Sequence, residues 1–132
     1  DELWDFGRGR FKWRGSCGGA GVMTVKLVEI ILGGNGIIKP EELISLIQAV
    51  EKRVPAGGTE GVVLSGRLPV WAYGALIHHY HPRPFIATFE PRLSKGVVVA
   101  THVKEVNIGD LVDLEGSERI VINFPEAEGV SE

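Results

Sequence analysis

The segment Gly61–His81, GVVLSGRLPVWAYGALIHHYH, decides the fold of this 132-residue chain. Its apolar start, Val62–Leu64, predicts a short buried strand. Pro69 predicts the start of a helix that runs to about Tyr80, because proline fits the first turn of a helix. A Ser-Gly-Arg turn joins strand and helix, and three of the chain's four histidines lie at the helix end. A strand–turn–helix unit folds without either feature, so the segment predicts a site as well as a fold.

The sequence before this segment predicts another helix. Pro40, Glu41 and Glu42 favour its start, because proline fits the first turn and carboxylates favour the positive end of the helix dipole. The segment PAGG at 55–58 ends it. The face predicted to be buried comprises Leu43, Ile44, Ile47, Val50 and Val54.

Strands are predicted on both sides of the two helices. Residues 9–14 alternate basic and aromatic side chains and residues 22–32 follow as a second strand, so the two are predicted to pair as a hairpin. After the second helix, residues 85–89 and 96–101 predict another hairpin, and residues 107–124 contain one or two further strands. The predicted order, ββαβαβββ, indicates a Rossmann-like α/β fold with a mixed sheet and two main helices.

Length and composition restrict the class of protein. A chain of 132 residues predicts one domain over residues 1–132, in which the polar residues 125–132 form a loose tail. Hydrophobic residues at 44% and charged residues at 23% are typical of a soluble globular protein. No apolar run approaches the roughly 20 residues that span a membrane, so no membrane partner is expected.

Cysteine count and charge restrict the compartment and the partners. The single cysteine, Cys17, cannot form an internal disulfide, which favours a reducing, cytoplasmic compartment. The net charge of −3 argues against duplex DNA as a partner, because non-specific DNA binding depends on many cations. A phosphate-bearing ligand would therefore depend on a few local arginines.

Ser65, Gly66 and Arg67 form the first candidate binding site. They lie where a buried strand ends and a helix begins, which is where open α/β sheets bind ligands. Glycine permits close approach of the backbone, and a guanidinium forks onto phosphate oxygens. The alternative is a tight turn with a solvated arginine. The glycine clusters at 16–21 and 33–36 lack the lysine–serine pair of a phosphate loop and are interpreted as connecting turns.

The histidines form the second candidate site. On a helix His78 and His81 share a face, whereas His79 points about 100° away from His78. Histidines at this spacing are suited to holding a metal or to moving protons near neutral pH. The alternative is surface or half-packed histidines at a helix end, where cations favour the dipole.

Strand direction predicts how these sites are arranged. If strands 61–66 and 85–90 are parallel, their carboxyl ends lie at one edge of the sheet, together with Glu90 and Arg92. The helix between them runs back, so His81 lies at the opposite edge, and His102 returns there after a hairpin on the order of 20 Å long. The arginine edge of one subunit is therefore predicted to dock on the histidine edge of another. The alternative for Glu90 and Arg92 is an ordinary acidic turn with a neutralising arginine.

The order of these motifs carries a family resemblance. The succession SGRLPVW at 65–71, the histidine cluster, EPRL at 90–93 and the later histidine resembles the small CRISPR-associated ring nucleases of type III systems. The resemblance extends from about residue 37 to about residue 114, and residues 1–21 match none of its motifs. It implies a homodimer related to CRISPR-associated Rossmann-fold sensors, with two dimers that sandwich cyclic tetra-adenylate and cleave it in a manganese-dependent reaction.

The resemblance also implies roles for individual residues. His81 corresponds to the catalytic histidine, with His78 as the alternative if the register differs by one residue, and with His102 in support. Ligand binding is implied for Ser65, Gly66, Arg67, Arg92, His78 and His102. Glu90 stands where the family has aspartate, as a second catalytic residue, and Glu90 and His81 are the expected manganese ligands.

Glutamate in place of aspartate leaves other functions open. Its extra methylene shifts the carboxylate, and small displacements of a reacting group cost about 100-fold in rate. A protein that binds the cyclic nucleotide without cleaving it is therefore one alternative. A manganese-dependent deadenylase acting on RNA 3′ ends is another, implied by the family, and an oligomeric scaffold with surface histidines is a third.

Overall fold

A computed structural model describes residues 24–125 of the chain. A short 3-10 turn, Pro40–Glu42, precedes the first α-helix. The helices and strands in chain order are β1 Val25–Leu32, α1 Leu43–Arg53, β2 Gly61–Ser65, α2 Val70–His79, β3 Phe85–Glu90, β4 Lys95–Thr101, β5 Leu111–Val112 and β6 Glu118–Phe124. The predicted strand 9–14, Cys17 and residues 126–132 of the predicted tail lie outside the described residues. Within the described range, neither helix has the length and apolar character needed to cross a membrane.

The six strands form one mixed sheet in the order β5-β4-β3-β2-β1-β6. β1, β2, β3 and β6 run parallel, whereas β4 and β5 are antiparallel to their neighbours. The small α/β fold with a mixed sheet and two helices is therefore confirmed. The predicted hairpin between residues 9–14 and 22–32 involves a strand outside the described residues; within them β1 pairs with β2 over Val25–Glu29 and with β6 over Lys26–Leu32.

Both faces of the sheet carry apolar clusters. The helices cover one face, where buried residues include Val28, Leu46, Val50, Leu64, Leu76 and Ile122. The opposite face is covered in part by the segment after β4, and its buried residues include Leu27, Val63, Phe85, Val98 and Val106. Side chains alternate along each strand, so every strand between β1 and β3 contributes to both clusters.

The buried face of α1 differs from the prediction at one position. Ile44 is 66% exposed, whereas Leu46 is fully buried. At 3.6 residues per turn Ile44 lies about 120° from Val50 around the helix, while Leu46 lies about 40° from it. The predicted inclusion of Ile44 in the core was wrong, because both residues are apolar and only the orientation of the helix decides between them.

The ends of β1 and β2 form a step in the sheet. Ser65 at the end of β2 pairs with Glu29, but β1 continues for another three residues to Leu32. Along those residues β1 has β6 on one side and no paired residue of β2 on the other. Among the described residues, the turn after β2 therefore lies beside the part of β1 that β2 leaves unpaired.

The hairpin of β3 and β4 contains a bulge. Two successive residues of β3 pair with Val98 and Ala100 of β4, so Val99 is the extra residue. Val98 packs in the cluster opposite the helices, whereas Ala100 packs against the cluster under the helices. The bulge therefore turns the last part of β4, which leads to His102, towards the helix side of the sheet.

We expect opposite effects on stability from alanine at two glycines. Gly66 has φ +140°, and a Cβ there would lie 2.4 Å from the Ile30 carbonyl oxygen, so Gly66→Ala should lower the free energy of unfolding by about 2 kcal/mol or more. Gly74 lies inside α2 with open space around it, so Gly74→Ala should raise that free energy by about 0.5–1 kcal/mol. Urea unfolding of both variants measures this. Equal midpoints for the two variants would contradict the strain assigned to Gly66.

Candidate functional site

A cavity of about 550 Å³, here called the arginine-edge cavity, lies at the carboxyl ends of β1 and β2. It occupies the step between these strands, and Ser65, Gly66 and Arg67 form one wall. The other residues that line it are Glu29, Ile30, Ile31, Leu32, Asn35 and Gly36. The structure thus brings the predicted Ser-Gly-Arg turn into a cavity of the size that small-molecule ligands occupy.

Two contacts fix the Ser-Gly-Arg turn. Gly66 packs directly on the backbone of Ile30, where a side chain would collide with the carbonyl oxygen. The Tyr73 hydroxyl of α2 donates a 2.6 Å hydrogen bond to the Gly66 carbonyl. Burial raises the pKa of Tyr73, so this hydroxyl keeps its proton and remains a donor. Arg67, the last residue of this turn, is exposed, so its guanidinium is accessible to an anion.

The loop after β1 contributes residues that the sequence did not indicate. Asn35 and Gly36 line the arginine-edge cavity, and the Asn35 side-chain oxygen accepts a 3.1 Å hydrogen bond from the Ile37 backbone N–H. Gly34 and Gly36 both have positive φ, at 60° and 78°. The interpretation of residues 33–36 as a mere connecting turn was therefore incomplete. The parallel register of β1 and β2 is the signal that places this loop opposite Ser65.

Glu90 and Arg92 form a tight ion pair at the end of β3. One carboxylate oxygen of Glu90 accepts hydrogen bonds from the Arg92 backbone N–H at 2.9 Å and from Arg92 Nε at 2.8 Å. The hydrogen bonds from Arg92 hold the pKa of Glu90 below its usual range. The Arg92 side chain is 87% exposed. Both residues lie at the same edge of the sheet as Ser65, as predicted, but they do not line the arginine-edge cavity.

A second cavity, of about 300 Å³ and here called the histidine cavity, lies at the opposite end of the sheet. His78, His81 and His102 all line it, with Gly74, Ile77, Arg83, Ile86, Ala100 and Thr101. The rings of His81 and His102 meet edge to face, with centroids 4.6 Å apart. The structure therefore brings together the three histidines that the sequence analysis selected.

A hydrogen bond determines the tautomer of His102. Its Nε2 lies 2.7 Å from the His81 carbonyl oxygen. A carbonyl only accepts hydrogen bonds, so Nε2 carries the proton and Nδ1 is the acceptor of the neutral ring. His102 therefore supports the backbone of His81 and leaves the His81 ring exposed in the cavity.

His79 lies outside the histidine cavity, as the helical spacing predicted. Its Nε2 lies 2.6 Å from the Glu51 carboxylate of α1. The same Glu51 oxygen accepts a 2.9 Å hydrogen bond from the Ala56 backbone N–H. His79 therefore connects the two helices, which makes it a suitable control for changes at His81.

Arg83 is a buried residue of this site that the sequence did not indicate. Its side chain is 1% exposed, and it donates hydrogen bonds to the Pro55 carbonyl and to both the carbonyl and the carboxylate of Glu60. These contacts fasten the turn that carries His81 to the loop after α1. Gly58 makes room for the guanidinium, since a Cβ there would lie 2.5 Å from Arg83 Nη1.

The two cavities are separated by the length of a strand. β2 and β3 run parallel, so Ser65 and Glu90 lie at one edge of the sheet. α2 returns the chain to the other edge, where His81 precedes β3 and His102 follows β4. The six residues of β3 span about 20 Å. The predicted separation of arginine edge and histidine edge is therefore confirmed within one subunit.

The two expected manganese ligands do not come together within one chain. Glu90 is the last residue of β3, whereas His81 lies before its start. The carboxylate of Glu90 also accepts hydrogen bonds from Arg92. Across residues 24–125, no group of three or more His, Cys, Asp or Glu side chains is placed to hold a metal ion. The described residues of one subunit therefore do not fit a manganese site.

Comparison with known proteins identifies the family. The family described as CRISPR-associated protein (Cas_csx3) matches residues 31–113, which is more than half of the chain. The chain belongs to the Cas_csx3 family. It is also 51% identical over 55 residues to a protein of Aquifex aeolicus (strain VF5) described as uncharacterized, a match that covers 42% of this chain and 50% of that relative. The match thus spans about half the length of this relative. The region shared with Cas_csx3 contains every candidate residue from Asn35 to His102.

We expect Arg92→Gln to raise the pKa of Glu90 towards its usual value, because the substitution removes the guanidinium that stabilises the carboxylate. Carboxyl-carbon NMR across a pH titration measures this directly. Because the folded-state pKa is the lower one, the ion pair stabilises the hairpin above about pH 4 and loses that effect as pH falls through the lowered pKa. Arg67→Gln is the matched control, since Arg67 does not contact Glu90. An unchanged Glu90 pKa in Arg92→Gln would contradict the ion pair.

Proposed function

We propose that this protein is a ring nuclease that binds cyclic tetra-adenylate in the cytoplasm and opens its phosphodiester bonds, which ends signalling by a type III CRISPR system. Membership of a CRISPR-associated family supports the biological context. The observation that carries the proposal is the pair of cavities at opposite ends of one sheet. One cavity has arginine at an anion-binding turn, and the other has three imidazoles.

The arginine edge supplies the binding half of the proposed site. Arg67 lies where a strand ends and α2 begins, so its guanidinium and the helix N-terminus both favour a phosphate. Arg92 adds a second exposed guanidinium at the same edge. Ser65 and the Gly66 backbone allow the sugar and phosphate to approach closely. Together these groups supply positive charge that neutralises the phosphodiesters of a ring, and they do so without a large basic surface.

The histidine edge supplies the proposed catalytic half. A ribose 2′-hydroxyl attacks the adjacent phosphorus, the bond to the 5′-oxygen breaks, and a 2′,3′-cyclic phosphate forms. His81 takes the proton of the attacking hydroxyl, and the leaving oxygen receives a proton from solvent. The arginines stabilise the charge that develops on the phosphate. His102 positions His81 through its hydrogen bond to the His81 carbonyl.

Distance requires that the two halves come from different subunits. Within one chain the histidine edge and the arginine edge are separated by the length of β3, which exceeds the reach of a single phosphodiester. A ligand held between two dimers would contact the arginine edge of one dimer and the histidine edge of the other. The proposed assembly is therefore a pair of homodimers around one ring, in which manganese would be held between subunits, with Glu90 of one and His81 of another as its ligands.

One observation favours binding without cleavage as the second candidate function. Both carboxylate oxygens of Glu90 lie against Arg92, at 2.8 Å from Nε and 3.3 Å from Nη2. A carboxylate held in this way is a weak base and has few lone pairs left for a metal. If Glu90 stays paired when the ring is bound, the protein sequesters the ring instead of cleaving it.

We expect the wild-type protein to convert cyclic tetra-adenylate to linear products with manganese and not with chelator. His81→Ala should abolish this cleavage and retain binding of the ring, because the arginine edge is unchanged. His79→Ala, which removes the hydrogen bond to Glu51, is the matched control and should cleave normally. Chromatography of products and calorimetry of binding measure both effects. Bound but intact ring with the wild-type protein would establish the second function, and full cleavage by His81→Ala would remove His81 from the mechanism.

We also expect two inactive variants to complement each other. His81→Ala keeps the arginine edge and Arg92→Ala keeps the histidine edge. An equimolar mixture should recover about a quarter of the wild-type rate, because random assembly pairs two intact halves in one case in four. The rate of each variant alone serves as the control. A mixture no more active than its components, with both variants folded, would contradict a site shared between subunits.

A further inference from the structure

We propose that Glu29, held by Arg119, accepts a hydrogen bond from a ribose 2′-hydroxyl of the ligand and makes the arginine-edge cavity selective for ribonucleotides over deoxyribonucleotides. This inference rests on the proposed function, since it concerns the ligand of the same cavity. It assigns a role to a carboxylate that lies outside the motifs of the sequence analysis.

Register places Glu29 at the level of the phosphate-binding turn. Glu29 is the residue of β1 that pairs with Ser65, the last residue of β2. The side chains of both residues belong to the sheet face opposite the helices, because Leu27 and Val63 precede them by two positions and pack there. Glu29 lines the cavity together with Ser65 and Arg67, and its side chain is 28% exposed.

A carboxylate in an anion-binding cavity requires a donor on the ligand. A carboxylate only accepts hydrogen bonds, and it repels phosphate. The hydroxyls of ribose are the donors that a nucleotide offers next to its phosphates. In dinucleotide-binding folds, an acidic residue on the strand next to the phosphate-binding turn accepts hydrogen bonds from ribose hydroxyls. Glu29 stands in this relation to the Ser-Gly-Arg turn.

Arg119 prepares Glu29 for this role. Arg119 Nε and Nη2 both lie 2.6 Å from one oxygen, Oε1, of the Glu29 carboxylate. Because Arg119 takes Oε1, the second oxygen, Oε2, is the one we assign as the acceptor for the ligand. The positive charge of Arg119 also offsets the repulsion between Glu29 and a nearby phosphate. The pair fixes the direction of the carboxylate from the neighbouring strand β6.

The same two strands carry a matched pair on the other face of the sheet. Lys26 Nζ lies 2.5 Å from Glu118 Oε1, again between β1 and β6. Lys26 alternates with Leu27 and so faces the helices, and neither Lys26 nor Glu118 lines the arginine-edge cavity. Glu118→Gln therefore removes an equivalent carboxylate charge without touching the proposed ligand contact.

The experiment measures binding by calorimetry with two probes, cyclic tetra-adenylate and the same ring with hydrogen at every 2′ position. The wild-type protein should bind the ribose ring about tenfold or more tightly, as expected for a hydrogen bond to a charged group. Glu29→Gln and Glu29→Ala should lower this ratio of affinities towards one. They should weaken binding of the ribose ring, and binding of the deoxyribose ring should stay the same or become tighter. Glu118→Gln should keep the wild-type ratio.

The ratio separates a ligand contact from a structural role. A purely structural loss at Glu29 would weaken both rings equally and leave the ratio unchanged, which would overturn the inference while the proposed function stands. A wild-type protein that binds neither ring would overturn the proposed function, and this inference with it. A lowered ratio in Glu118→Gln would also overturn the inference, because any carboxylate on these strands would then have the same effect.

Discussion

The parallel pairing of β2 and β3 is the constraint on which the rest of the structure depends. Two parallel neighbours joined by a helix must end at the same edge of the sheet, and the helix must return the chain to the other edge. Side chains at the end of β2 and side chains at the end of α2 are therefore separated by the length of a strand. The separation of the arginine edge from the histidine edge therefore follows from topology alone, before any side chain is considered.

Each end of this unit has its own anchor. At the arginine edge, Tyr73 holds the Gly66 carbonyl while the glycine packs on the β1 backbone. At the histidine edge, Arg83 holds the loop after α1 while His102 holds the carbonyl of His81. Both anchors act on backbone carbonyls, so the exposed functional side chains remain available for a ligand. A buried guanidinium is stable here because the carbonyls and the Glu60 carboxylate replace its water.

Local sequence patterns predicted the helices and strands. Contacts between distant segments decided most of what lines the two cavities. The helical spacing of the histidines and the strand–turn–helix order were sufficient to place the arginines and histidines at opposite edges. The lining by Asn35 and Glu29 depends on the register between β1 and β2, which no short segment encodes. The burial of Arg83 depends on acceptors from a loop more than twenty residues away. The exposure of Ile44 depends on the orientation of a helix whose apolar residues extend over more than one face.

The bulge at Val99 decides which face of the sheet carries His102. In a regular strand Val98 and Ala100 would face the same side, but Val99 adds a residue and places them on opposite sides. A strand of the same length that paired with β3 without the bulge would direct His102 away from His81, with every histidine still present in the sequence. The histidine cavity therefore depends on this irregularity in the β3–β4 ladder as well as on the histidines themselves.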